Sequence, residues 1–171
     1  MTTFDLALAF TLPAEGGLVN DASDPGGKTN KGITQHTFDS YRDSLKQSRQ
    51  DVSLITDAEV CAIYQEMYWN PGHCSDMVPS LGIAHFDTCV NMGVNSAIKM
   101  LQRAAGLDDD GIYGNITAAE VTHQGKDLVI PYLDERRARY RAIVAANPAL
   151  EKFAKGWATR VNALEDYMED K

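Results

Sequence analysis

The spacing of apolar residues along the chain predicts a mainly α-helical fold. The clearest pattern lies near the C-terminus, where apolar side chains recur at intervals of three or four residues: Leu150, Phe153, Trp157, Val161, Leu164 and Met168. This interval places the side chains on one face of an α-helix, which we expect to be buried. No run alternates apolar and polar residues over the length of an ordinary strand. We therefore expect helices packed on helices, with at most a short β-hairpin in a glycine-rich stretch near the N-terminus.

Local signals predict further helices along the chain. Residues 3–14 form an amphipathic pattern, and Pro13 is expected to kink this helix or to end it early. Thr56 and Glu59 form a capping box that starts another helix, which should end by residues 70–72. The remaining predicted helices cover residues 34–45, 79–92, 96–105 after an N-cap at Asn95, a short segment that starts at Asn115 or Thr117 and ends by Gly125, and the segment from 126 to a break at Asn147-Pro148.

The charge balance narrows the classes of partner. The chain has 16 Lys and Arg against 24 Asp and Glu, for a net charge of -8, so nucleic acid is not expected as a partner. Arginines do gather beside Asp134 and Glu135, and we interpret them as a solvated helix face with local ion pairs. These arginines are Arg136, Arg137, Arg139 and Arg141.

No metal, cofactor or membrane anchor is expected from the residue pattern. Cys61, Cys74 and Cys89 contain no Cys-x-x-Cys pair, which predicts free and mostly buried thiols. The four histidines have no metal-ligand spacing, so surface or capping roles are expected for them. No run approaches the roughly 18 apolar residues of a membrane span. The N-terminus has no basic start of a secretory signal, so we expect synthesis in the cytoplasm without stable membrane association.

The chemistry is concentrated in the glycine-rich stretch, residues 15–34. Gly27-Lys28-Thr29 resembles part of a phosphate-binding loop, but no buried strand precedes it, and Asp24 and Pro25 occupy the loop itself. The other interpretation is glycoside cleavage, in which an acid such as Glu15 protonates the leaving oxygen and a second carboxylate such as Asp24 assists. The spacing leaves a third possibility open, because acids in glycine-rich turns commonly bond their own backbone.

Several short blocks of residues follow one another along the chain in a specific order. In the first half these are Glu15-Gly16-Gly17, Asn20-Asp21, Asp24-Pro25-Gly26-Gly27, Thr29-Asn30, Gly32-Ile33-Thr34, Tyr68-Trp69, Phe86-Asp87, Val90-Asn91 and Gly93. In the second half they are Leu101-Gln102, Asp110-Gly111, Gly114, Thr117, Tyr132, Arg136, Gly156-Trp157 and Arg160-Val161. In this order the blocks resemble the N-acetylmuramidases of glycoside hydrolase family 108, which come from bacteria and phages, and those of the second half are similar to the predicted peptidoglycan-binding segment of that family.

The resemblance implies a lysozyme-like helical hydrolase that cuts peptidoglycan between N-acetylmuramic acid and N-acetylglucosamine. It implies a catalytic lobe over 1–94 and a helical, peptidoglycan-binding-like lobe over 95–171, packed against each other. By the family pattern Glu15 is the catalytic acid, Asp24 is a candidate base, and Thr29 positions water or the loop. Leu18 replaces a usual tyrosine, and Pro13 stands where a helical residue is usual.

The implied substrate-binding residues keep structural alternatives. They are Asn30, Thr34, Tyr68, Trp69 and Asn91. Tyr68 and Trp69 would stack on sugar faces or pack in the core. Asn91 would bind an acetamido group or cap a helix.

The family also suggests a phage endolysin, active as a monomer, that leaves the host cytoplasm through a holin-type pore and acts on periplasmic peptidoglycan. Two alternatives stay open at this point. A lytic transglycosylase would use one acid and no activated water, and a non-catalytic module would bind the cell wall or serve secretion.

Overall fold

The computed structural model describes residues 1–16 and 28–169. Within these ranges the chain is mainly α-helical with one two-stranded hairpin, which confirms the fold class predicted from the apolar spacing. The chain forms two compact units, Leu8–Met67 and Met1–Ala7 with Tyr68–Lys171. The predicted division at residue 94 stays a prediction. Among the described residues, no helix has the length and apolar content needed to cross a membrane.

Among its described residues, the unit Leu8–Met67 holds the hairpin and three α-helices, of which the first begins at Thr3. These elements are α1 (Thr3–Glu15), β1 (Thr29–Asn30), β2 (Ile33–Thr34), α2 (Gln35–Ser44) and α3 (Asp57–Tyr64). The strands are antiparallel, with Thr29 opposite Thr34. Pro13 lies inside α1, which continues to Glu15. Thr56 and Glu59 form the predicted capping box of α3, and a π-helical turn, Gln65–Trp69, follows.

The other unit is built from long helices around α4. They are α4 (Pro79–Met92), α5 (Val94–Ala104), α6 (Asn115–Gln124), α7 (Val129–Ala146) and α8 (Glu151–Glu169). Every residue of α4 from Ser80 to Cys89 is buried. Pro79 starts this helix at a position where its missing N–H is not needed, and Gly93 follows its end.

Three details of this unit differ from prediction. Asn95 does not cap α5, because the helix already begins at Val94, and its Nδ2 donates to the carbonyl of Gly111 at 3.3 Å. The apolar stripe of α8 is core only in its C-terminal half, since Phe153 is 47% exposed. Trp157 is half-buried and stacks on Tyr140 at 4.8 Å between ring centroids.

Two polar residues predicted to lie on the surface are fully buried. Arg136 is 0% exposed, because it extends inward to Asp87 on α4. His85 is also 0% exposed, and its Nδ1 is joined to the hydroxyl of Tyr132 by a hydrogen bond of 2.9 Å. Cys74 and Cys89 are buried and Cys61 is partly buried, all as free thiols.

Candidate functional site

Glu15 is the last residue of α1, and the turn of the hairpin lies directly against it. Gly32 in that turn has φ +74, and a Cβ built on Gly32 would lie 3.1 Å from Cβ of Glu15 and 2.5 Å from Oη of Tyr64. Only glycine adopts this backbone conformation freely and leaves room for both neighbours. The stem of Glu15 is therefore packed against backbone, and its side chain is half-buried.

The turn beside Glu15 is fixed by bonds to α3. The hydroxyl of Tyr64 donates to the carbonyl of Lys31 at 2.9 Å. Lys31 itself has φ +50, and its ammonium pairs with Asp57 at 2.5 Å. Tyr64 is 2% exposed, so the hydrogen bond from its hydroxyl is shielded from water and connects α3 to the turn.

A second set of bonds ties the hairpin to the following loop. Asn30 Nδ2 donates to the carbonyl of Val52 at 3.2 Å, and the N–H of Val52 donates to Oε1 of Gln35 at 2.7 Å. Lys28 pairs with Asp51 at 2.6 Å. This bond, together with hydrogen bonds from Ser53, holds the pKa of the Asp51 carboxyl well below its usual range. The hairpin is thus held at both ends.

The structure brings three of the predicted site residues together on the hairpin. Thr29 and Asn30 form β1, and Thr34 ends β2 opposite Thr29. Thr34 is also the N-cap of α2, since its hydroxyl accepts from the N–H of Thr37 at 3.1 Å. The side chains of Asn30 and Thr34 therefore stabilise the loop and the helix start. Substrate contact by these residues stays a prediction.

Asp24 and Leu18 lie outside the described residues. The role of Asp24 as a base and the consequence of Leu18 for the family pattern therefore stay predictions.

The other predicted residues belong to the second unit. Trp69 is 5% exposed and packs edge-to-face on Phe4 at 5.3 Å, while its Nε1 donates to Ser75 Oγ at 2.8 Å. Of the two alternatives for Trp69, stacking on a sugar face or packing in the core, this environment fits packing in the core. Tyr68 is half-buried and Asn91 is exposed. Asn91 lies in the last turn of α4, where the cap is Gly93.

A buried charge network is the main feature that sequence reasoning missed. Asp87 accepts from Nη1 of Arg136 at 2.7 Å and from Nη2 of Arg160 at 2.7 Å. Burial alone would raise the pKa of Asp87, but the two guanidinium groups outweigh burial and lower it. All three residues belong to family-like blocks, but nothing in their spacing shows that they meet.

The second-half motif around Asp110 and Gly111 is explained by one buried amide. Gln102 Nε2 donates to Asp110 Oδ1 at 2.7 Å and to Thr117 Oγ1 at 3.2 Å. Gln102 Oε1 accepts from the N–H of Gly111 at 2.8 Å. A buried amide needs hydrogen-bond partners for both its NH₂ group and its oxygen. The hydrogen bonds of Gln102 therefore hold the loop between α5 and α6 in one conformation.

Comparison with known proteins agrees with the two halves of the motif pattern. The family model described as glycosyl hydrolase 108 matches residues 8–93. The model described as a predicted peptidoglycan domain matches residues 96–162. The solved structure of SagA from Brucella abortus is similar with 32% identity and a TM-score of 0.77, over 98% of this chain and 94% of that chain. Among curated proteins, none matches this chain.

Proposed function

This chain belongs to the glycosyl hydrolase 108 family, and we propose that it hydrolyses the β-1,4 bond between N-acetylmuramic acid and N-acetylglucosamine in peptidoglycan. The two matched segments, a glycosyl hydrolase and a predicted peptidoglycan domain, support the broader assignment as a peptidoglycan hydrolase. The observation that carries the finer assignment is the position of Glu15, a half-buried acid at a helix end with glycine backbone packed against its stem.

In the proposed reaction, Glu15 acts as the general acid. Its carboxyl proton passes to the glycosidic oxygen while the bond from that oxygen to C1 of N-acetylmuramic acid breaks. A water molecule adds to C1 and gives up its proton, for which Asp24 is the proposed base and Thr29 the residue that positions the water. The products are a reducing N-acetylmuramic acid end and a free 4-hydroxyl on N-acetylglucosamine.

The biological role is part of the proposal. We place the chain among the phage endolysins that accumulate in the host cytoplasm, act as monomers and reach periplasmic peptidoglycan through a holin-type pore. The support for this role is the kind of substrate that the two matched segments indicate.

Mass spectrometry of digested peptidoglycan tests the proposal against its alternatives. Reducing N-acetylmuramic acid ends support hydrolysis. Ends that are lighter by one water, as 1,6-anhydro sugars are, would show a lytic transglycosylase. Intact sacculi after incubation with folded protein would leave a wall-binding module as the function.

A further inference from the structure

The segment 136–160 has a charge opposite to that of the whole chain. It contains seven Lys and Arg and a single acid, Glu151, although the chain carries -8. Two of these cations, Arg136 and Arg160, share the single carboxylate of Asp87, and Arg137 pairs with Asp134 and Glu165. The others have no acidic partner within the described part of the chain. They are Arg139, Arg141, Lys152 and Lys155.

A cleft of about 520 Å³ lies in this segment, between α7 and α8. Its volume falls within the range of small-ligand sites, roughly 300 to 1,000 Å³. Its walls are mostly apolar, with Arg141 and Glu151 exposed at the cleft and Arg137 lining it while paired with Asp134 and Glu165. The lining includes Tyr140, Arg141, Val144, Ala145, Glu151 and Ala154.

A row of stacked aromatic rings joins α7 and α8 beside the cleft. Tyr140 stacks on Trp157 at 4.8 Å, and Trp157 stacks on Phe153 at 6.0 Å. Tyr140 lines the cleft from α7, and the other two rings lie on α8, so the stacking links the two helices that form the walls. A wall whose side chains are already packed before binding loses little conformational entropy when a ligand arrives.

We propose that this cleft binds the stem peptide of peptidoglycan. Stem peptides combine alanine methyl groups, free carboxylates and the side-chain amine of a diamino acid. Val144 and Ala145 provide an apolar surface for the methyl groups, Arg141 a partner for a carboxylate, and Glu151 a partner for the amine. A bare neutral glycan offers hydrogen-bonding groups but no opposite charge to Arg141 or Glu151. The proposal rests on the proposed function only in taking peptidoglycan as the polymer.

Sedimentation with purified sacculi tests the cleft, in an inactive Glu15→Gln background so that the polymer stays intact. Arg141→Glu should weaken binding about tenfold, because it removes one attraction and adds a repulsion. Arg139→Glu is the matched control, since Arg139 is exposed on the same helix but does not line the cleft. It should stay within about twofold of the parent. An equal loss in both variants would show unspecific attraction and overturn the site.

Steric filling gives a test that does not depend on charge. Ala145 lines the cleft and Ala146 does not, and both are exposed. Ala145→Trp should weaken binding to sacculi about tenfold by occupying the cleft, whereas Ala146→Trp should not. Equal binding by the two variants would contradict the proposal.

Competition identifies the part of the polymer that is bound. A synthetic stem tetrapeptide with a diamino acid should displace the protein from sacculi, and a neutral N-acetylglucosamine tetrasaccharide should not. The reverse result would overturn the assignment to the peptide. If the active chain still releases reducing ends while Arg141→Glu binds as tightly as the parent, the cleft proposal fails and the proposed hydrolase function stands.

Discussion

Tyr140 on α7 donates a hydrogen bond of 2.6 Å from its hydroxyl to Oδ1 of Asn91, in the last turn of α4. Because the amide oxygen is engaged, Asn91 presents its Nδ2 group to solvent as a donor. The carbonyl of an acetamido group is an acceptor of the matching kind. Asn91 lies in the segment 8–93 and Tyr140 in the segment 96–162, so the second matched segment orients a predicted substrate-binding residue of the first.

Tyr140→Phe should raise KM for soluble peptidoglycan fragments by about two- to tenfold with a smaller change in kcat, since it removes one hydrogen bond that orients a binding group. Steady-state kinetics and thermal unfolding are measured together. Tyr132→Phe is the matched control, because it removes a hydroxyl that bonds His85 instead. The control should lose stability without the increase in KM. An unchanged KM in Tyr140→Phe would remove Asn91 from the substrate site.

Glu15→Gln should lower kcat by on the order of 10² to 10⁴, because glutamine has no acidic proton to give to the leaving oxygen. Glu66→Gln is the control, since Glu66 is exposed in the same compact unit. Turbidity loss of sacculi gives the rate, and circular dichroism shows whether the fold is kept. A folded Glu15→Gln protein with near-normal kcat would end the assignment of the acid.

The elements with strong local signals were predictable from sequence. The capping box of Thr56 and Glu59 indicates the start of α3. The apolar run over Pro79–Met92 forms α4 with the predicted bounds. Such signals involve residues within one turn of each other, so they need no knowledge of the tertiary fold.

The buried polar groups were not predictable for the opposite reason. Arg136 meets Asp87 across 49 positions of sequence, and His85 meets Tyr132 across 47. A periodic pattern shows which face of a helix is apolar, but it does not show which distant charge allows an arginine to be buried there. The same limit applies to Trp69, whose core packing depends on Phe4 and Phe86.

Gly32→Ala should lower kcat/KM, by up to about 10²-fold, by moving the hairpin turn away from Glu15. The added Cβ would lie 2.5 Å from Oη of Tyr64 and 3.1 Å from Cβ of Glu15, so one of them must shift. Gly106→Ala is the matched control. Gly106 has φ +75, and its Cβ would meet no atom of the described residues within 4 Å. It should lose stability through backbone strain alone and keep normal kinetics. Equal kinetics in both variants would argue against a positional role for the turn.

Asp87→Asn should lower the free energy of unfolding at neutral pH by about 3–5 kcal/mol, because Arg136 would stay buried without a full counter-charge. Since the folded pKa of Asp87 is lowered, the native contribution is present above the ordinary aspartate pKa of about 3.9 and is lost only as pH falls through the folded value. Asp134→Asn breaks an exposed ion pair with Arg137 and should cost less than about 1 kcal/mol. Urea unfolding compares them, and equal losses would contradict a stabilising role for the buried network.

His85→Gln should flatten the dependence of stability on pH below about 6.5. Burial lowers the pKa of His85 from 6.5 to about 3, so between these values the unfolded chain takes up a proton that the folded chain does not. As the pH is lowered through this window, the free energy of unfolding of the parent should therefore decrease, by up to about 1.4 kcal/mol per pH unit from this group. Urea unfolding at pH 7, 6 and 5 measures the slope, with the exposed His123→Gln as control. The His85 variant should be less stable at pH 7, because Tyr132 loses its native partner, yet its slope should be smaller. A slope equal to that of the parent would show that His85 is not the group that titrates.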